Sequence, residues 1–217
     1  GKYPERIRFI SEPDNGVGDA INKGLKLAKG RIWGWLDTDA YYEPDAIATI
    51  AHFFQSNLDA YVVFGECNEI KETGELVGRH LIRDFDIKEA IRDVVYIPLF
   101  SIFYRMEVID KVGPLNDLGN DYEFWVRVGK AFPIHRVSNV LSVNRLRKDG
   151  VFYSREPSKR AVRVARYRED YLVSRQNGAG IFSPAAHKYL RFLIMDKLGI
   201  YTFVAYQLRI RPRLFSW

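Results

Sequence analysis

Asp37 and Asp39 stand one residue apart in GWLDTDAYYEP (34–44), directly after an apolar run. Two carboxylates held so close repel each other unless a cation shares them. A hard divalent ion, bound by few carboxylates and completed by substrate phosphates, is the usual solution. Asp-x-Asp in this setting points to a site that binds a divalent metal and a diphosphate. The same pair can instead serve a turn and cap the following helix, and so short a motif recurs by chance. Its surroundings have to decide.

The elements that would position the pair read as an α/β pattern. IRFIS (7–11) predicts a short strand, DAINKGLKLAKG (19–30) a helix closed by Gly30, and IWGWL (32–36) a buried strand. In open α/β sheets ligands sit outside the carboxyl ends of the strands, which is where Asp37 and Asp39 fall. EPDAIATIAHFFQS (43–56) has helical spacing with Pro44 in a first-turn position, and AYVVFGE (60–66) reads as the next strand. A hairpin around ETGE, a short helix over 105–113 ending in Gly113, and an amphipathic helix DYEFWVRVGKAF (121–132) follow. Beyond residue 150 strand signals stop and two long helices, 157–176 and 184–209, each open with a proline. The organisation is a core over 1–150 and a helical extension over 151–217.

With 217 residues and 47% hydrophobic content the chain can bury a real core. One cysteine, Cys67, rules out an internal disulfide framework, and the four histidines are too scattered for a His/Cys metal motif. No signal-peptide order and no apolar run of spanning length are visible, so a cytoplasmic location is expected. The net charge is +6, and the basic excess lies late, from Arg145 onward. Such a region can face phosphates or an anionic membrane, or be a solvated helix face. Nucleic acid is not expected as a partner, because basic residues of that kind should interleave with exposed aromatics rather than line two helices.

The stretch 9–47 resembles the nucleotide-sugar glycosyltransferases of family 2, which have the GT-A fold, a Rossmann-like α/β nucleotide-sugar-binding sheet. The landmarks are Glu12-Pro-Asp-x-Gly16, Asp19-Ala-x-Asn22-Lys-Gly24, and an apolar strand ending in Asp37-Thr-Asp39. VVFGECNEI, YIPLFSIFYRMEVIDKVGPLN and NDYEFWVRVGK agree further along, so the resemblance covers about residues 5 to 147. It implies an inverting transferase that moves a sugar from a nucleotide-diphosphate sugar, UDP by default, to a hydroxyl of a glycan or lipid-linked acceptor. By the same resemblance Asp37 and Asp39 bind Mg²⁺ or Mn²⁺, and Asp14, Gly16, Asp19 and Lys23 lie along the nucleotide and donor sugar. Gly16 and Gly18 serve equally well as turn residues, and Asn22 as a structural residue. Asp121 occupies the position of the catalytic base, where an aspartate is also a good helix cap. Glu123 is the alternative base, and Trp125 is expected in the core.

Two departures stand out. Relatives place an arginine before the asparagine of the first helix and a histidine in a Tyr-Arg-x-His loop, where this sequence has Ile21 and Arg147. Arginine cannot ligate a metal but can hold a diphosphate through bidentate hydrogen bonds. The family also begins with strands that precede GKYPERIRFISEPDNG, so a sheet edge at IRFIS and IWGWL is expected to be exposed and donor binding by this chain alone to be poor. The rival function is a non-catalytic binding or scaffolding protein of the same fold. A nucleotidyltransferase would need an early Gly-rich phosphate loop, and none is visible. In KYLRFLIMDKLGIYTFVAYQLRIRPRLFSW (188–217) apolar residues bracketed by Arg and Lys fit a peripheral membrane helix, or one packed on the core.

Overall fold

A computed structural model of the protein describes residues 7–80, 84–116, 119–147 and 156–201. Among the described residues six strands form one mixed sheet: β1 (Ile32–Gly34), β2 (Ala40–Tyr42), β3 (Val62–Lys71), β4 (Leu76–His80), β5 (Ile102–Arg105) and β6 (Ile134–Leu146). Their order is β1-β5-β3-β6-β2, with β4 also paired to β3. Only β3 and β6 run parallel; the other pairs are antiparallel. β5 pairs with Val62–Phe64, and β4 takes over along Cys67–Ile70.

Strand alternation sets the layers. Val62, Phe64, Ile102 and Tyr104 point to one face, against Phe124, Trp125 and Val128 of helix α5 (Asp121–Ala131). Val63 and Phe103 point to the other, against Ile50 and Phe54 of helix α2 (Ala46–Ser56). Tyr104 is the pivot of the first layer: Trp33 stacks on it at 4.4 Å, and Trp125 donates its indole N–H to the Tyr104 hydroxyl at 3.0 Å. Trp125 is therefore a core residue, as its helical position predicts.

Helix α1 (Val17–Leu27) leans on the loop that leads to α5. Asn22 donates to Leu115 O at 2.9 Å and accepts from Leu115 N at 3.1 Å, a two-point tie that gives Asn22 a structural role. Gly18 allows the contact, because a Cβ there would lie 1.8 Å from Asn116 O. The short helices α3 (Ile87–Asp93) and α4 (Glu107–Val112) fill the flanks. Helix α6 (Pro157–Gln176) packs on α3, α5 and helix α7 (Pro184–Lys197), with Val173 and Ala185 joining Val94, Tyr122 and Val126 in a third apolar cluster.

Several expectations need correction. IRFIS forms no strand: residues 7–11 have no regular structure, and Phe9 is 85% exposed. An apolar run becomes a strand only where another strand pairs with it, and no described segment does so here. The first helix ends at Leu27 with Ala28 as its cap, so Gly30 does not close it. Pro44 precedes α2 rather than sitting inside its first turn. β2, α3 and β6 have no counterpart among the predicted elements. Helix α6 lies where its spacing predicts, and α7 stops at Lys197; residues 202–217 of the proposed membrane segment lie outside the described residues. Within α7, Phe192 turns inward and stacks on Tyr167 at 4.1 Å, while Leu190, Leu193 and Ile194 stay exposed. Among the described residues no helix is long and apolar enough to cross a membrane.

The α1 contact predicts opposite effects for two glycines of one helix. Gly18→Ala should lower stability by about 1–3 kcal/mol, the usual range for overpacking. Gly24→Ala, with nothing within 4 Å of the added methyl, should raise it by about 0.5–1 kcal/mol. Urea midpoints for the two variants check this; equal shifts would show that the α1 contact has been misread.

Candidate active site

The Asp37–Asp39 segment is the turn between β1 and β2. Ala40 N donates to Asp37 O at 3.2 Å, and Trp35, just past β1, donates its indole N–H to Asp37 Oδ1 at 2.9 Å. On the far side Arg145 N donates to Asp39 O at 2.9 Å, continuing the ladder in which Ala40 faces Asn144. The ladder thus sets Arg145, near the end of β6, beside Asp39, and Arg147, the residue after the strand, is exposed. Partial desolvation pushes the Asp37 pKa up and the Asp39 charge adds to it, while Trp35 and Arg166 work the other way.

Asp121 is the first residue of α5, and Asn120 is the cap. Asn120 Oδ1 accepts from Tyr122 N at 3.0 Å and Glu123 N at 3.4 Å, so Asp121 is not needed for capping. Its own Oδ1 also accepts from Tyr122 N, at 3.1 Å. Burial pushes the Asp121 pKa up and the Asp37 charge pushes it further; Arg166 and backbone N–H groups oppose them. Asp121 therefore lies in the field of Asp37, far away in sequence, and both lie in the field of Arg166. Glu123 is committed elsewhere, in a two-point pair with Arg127 at 2.7 and 2.9 Å.

Asp14, Gly16, Asp19 and Lys23 form a separate local group at the start of α1. Gly16 N donates to Asp14 Oδ1 at 2.9 Å, and at φ 130° Gly16 occupies backbone space that suits glycine. Asn15 N donates to Asp19 Oδ2 at 3.0 Å and holds the Asp19 carboxylate below its ordinary range, with help from Lys23. Lys23 reaches Glu12 at 3.2 Å, Asp19 at 3.3 Å and Pro13 O at 2.6 Å. Its hydrogen bonds and ion pairs thus close this loop on itself and none joins it to Asp37 or Asp39.

Sequence reasoning missed the contribution of α6. Arg166 counted there only as part of the late basic excess, yet its charge reaches both Asp37 and Asp121. One turn on, Asp170 accepts from Asn120 Nδ2 at 2.8 Å and from the Tyr96 hydroxyl. Burial first, then the Asp121 and Glu169 charges, push the Asp170 pKa up to about 7. The spacing of Arg163, Arg166 and Asp170 on one helix face was the available signal.

Two carboxylates on one turn offer hard oxygen donors, and no group of three His, Cys, Asp or Glu that could hold a metal occurs among the described residues. That set fits Mg²⁺ or Mn²⁺, which keep waters and take substrate phosphate oxygens beside one or two carboxylates. It does not fit a closed structural site such as zinc.

The family model for glycosyl transferase family 2 matches residues 1–113. The chain belongs to glycosyl transferase family 2. Among similar proteins of this family, an uncharacterized glycosyltransferase of Rickettsia felis is 25% identical over 170 residues, 73% of this chain and 27% of that protein. A chondroitin synthase of Escherichia coli is 24% identical over 137 residues, 62% of this chain and 20% of that protein. The matched part is about a quarter of the length of these relatives. Among solved structures, TarS of S. aureus in complex with UDP-GlcNAc aligns with a TM-score of 0.52 at 15% identity, covering 79% of this chain and 52% of that one. That likeness shows the fold, a GT-A α/β sheet.

The raised Asp170 pKa has a stability consequence whose sign is fixed. Below its ordinary value of 3.8 the carboxyl is protonated folded and unfolded alike. As pH rises the unfolded chain ionises first, so the stability this group contributes is lost through about pH 7. Asp170→Asn should flatten the decline in thermal midpoint across that window. Circular dichroism melts at a series of pH values measure it, and parallel curves for both proteins would rule the effect out.

Proposed function

We propose that this chain takes part in transferring a sugar from a nucleotide-diphosphate sugar to a hydroxyl of a glycan or lipid-linked acceptor, with inversion at the anomeric carbon. The observation that supports it most is that Asp121 feels the charge of Asp37, distant in the sequence, and that both feel that of Arg166. The similarity to a chondroitin synthase favours a glycan acceptor. The core over 1–150 carries the reacting carboxylates, and the extension over 151–217 adds Arg166.

Asp121 acts as the general base. It accepts the proton of the acceptor hydroxyl as that oxygen bonds to the anomeric carbon, and the bond from carbon to the diphosphate oxygen breaks with its electron pair on the leaving group. The base has to be ionised, which Arg166 favours and burial opposes. Asp37 and Asp39 would hold Mg²⁺ or Mn²⁺, and the ion would supply neutralisation of the charge that develops on the diphosphate leaving group. Arg147, the residue after β6, pairs with the diphosphate. Asp14, Gly16, Asp19 and Lys23 line the nucleotide and sugar side, with UDP as the default nucleotide.

Asp121→Asn should cut transfer by about 10²–10⁴ with little change in donor affinity, while Asp39→Ala should abolish the gain in donor affinity that Mn²⁺ produces. Isothermal titration with and without Mn²⁺, beside product formation from UDP-GlcNAc, UDP-glucose, UDP-glucuronic acid and GDP-mannose, tests both. Near-full transfer by Asp121→Asn would remove the base. A wild type that binds and turns over none of these donors would favour the non-catalytic alternative.

A further inference from the structure

Asn120 is 2% exposed, and every hydrogen-bonding position of its side chain is used. Its Oδ1 accepts from two backbone N–H groups of α5. Its Nδ2 donates to Glu169 Oε2 at 2.9 Å and to Asp170 Oδ1 at 2.8 Å, both on α6. Its backbone N–H goes to Asn116 Oδ1 at 3.1 Å, and Asn116 Nδ2 donates in turn to Glu169. The residue next to this saturated amide is Asp121.

Placing two neighbouring carboxylates in a half-buried helix face is costly unless each has donors. Here the fork of one amide NH₂ serves both, and Asp170 has a further donor in Tyr96, whose ring packs edge-on to Trp125 at 6.1 Å. The amide cannot rotate without breaking either the α5 cap or the α6 pair. We propose that Glu169 and Asp170 are positioning residues for the base: they clamp the Asn120 side chain, and through it the first turn of α5 that presents Asp121. This rests on the reading of Asp121 as the base. It makes α6 part of the catalytic apparatus, acting through Asn120 and without touching substrate.

The two helices are also joined at their far ends, where Lys130 Nζ donates to Asn177 Oδ1 at 2.6 Å. That bond supplies a control for general loosening of α6. In the full chain, Glu169→Ala, Asp170→Ala, Asp170→Asn and Lys130→Ala are compared by hydrogen exchange at the Tyr122 and Glu123 amides. kcat and donor KM are measured with whichever of the four sugar nucleotides above the wild type consumes. The alanine variants at Glu169 and Asp170 should speed exchange at both amides and lower kcat by about ten- to a hundredfold, the scale of a misplaced catalytic group, with donor KM little changed. Asp170→Asn, which keeps an acceptor for Asn120, should restore both readouts, and Lys130→Ala should move neither. Unchanged exchange overturns the clamp whatever the activity, including with a wild type that consumes none of the donors. Faster exchange with unchanged kcat, or an equal loss in Lys130→Ala, overturns the positioning role. Transfer insensitive to Asp121→Asn, with exchange responding as expected, would locate the failure in the choice of base.

Discussion

Holding carboxylates near one another in a partly desolvated place is the constraint on which the candidate site depends. Burial raises the pKa values of both Asp37 and Asp121, and a neighbouring carboxylate adds to each, Asp39 to the first and Asp37 to the second. Keeping such groups together requires rigid supports and compensating charge. The supports are the β1–β2 turn, pinned by Trp35 and by the Arg145–Asp39 ladder bond, and the capped start of α5. The compensating charge comes from Arg166 and, in the proposed reaction, from a divalent ion.

The core serves those supports. Alternation along β3 and β5 builds an apolar layer on each face of the sheet, and α5 is anchored to one of them by Trp125 and Phe124. A helix anchored along its length still needs its first turn fixed, and side-chain amides do that work here. Asn22 ties α1 to Leu115, Asn116 binds the next backbone N–H, and Asn120 closes the cap. Each amide both donates and accepts, so each links two segments whose backbone groups would otherwise be buried without partners.

Helices α6 and α7 show how far the tertiary environment redirects a charged sequence. Arg163 is 2% exposed, with its guanidinium 3.6 Å from Asp196 and over the Tyr201 ring at 5.3 Å. Arg160 reaches the same carboxylate at 2.7 Å. A basic face that could have served an anionic partner is in part turned inward, where Asp196 receives Arg160 and Arg163 and the charge of Arg166 reaches Asp37 and Asp121.

The sequence by itself determined the helices that have a clear apolar stripe and a chemical stop. α2, α4, α5 and α6 were legible because spacing, Gly113 and Pro157 act locally, within a turn or two of the chain. It also determined the identity of Asp37, Asp39 and Asp121 as candidates, because the motif and its flanking strand and helix are contiguous. What only the tertiary structure decided was pairing. The apolar IRFIS stays irregular without a partner strand, while the polar stretch IHRVSNVLSVNRL becomes β6 because β3 and β2 flank it. Likewise the spacing of Arg163, Arg166 and Asp170 places them on one helix face, but nothing local says what that face meets. The place of Arg166, Glu169 and Asp170 beside Asp121 depends on how α6 docks on α5, and hydrogen bonds between segments so distant in the chain do not name their partners in either sequence.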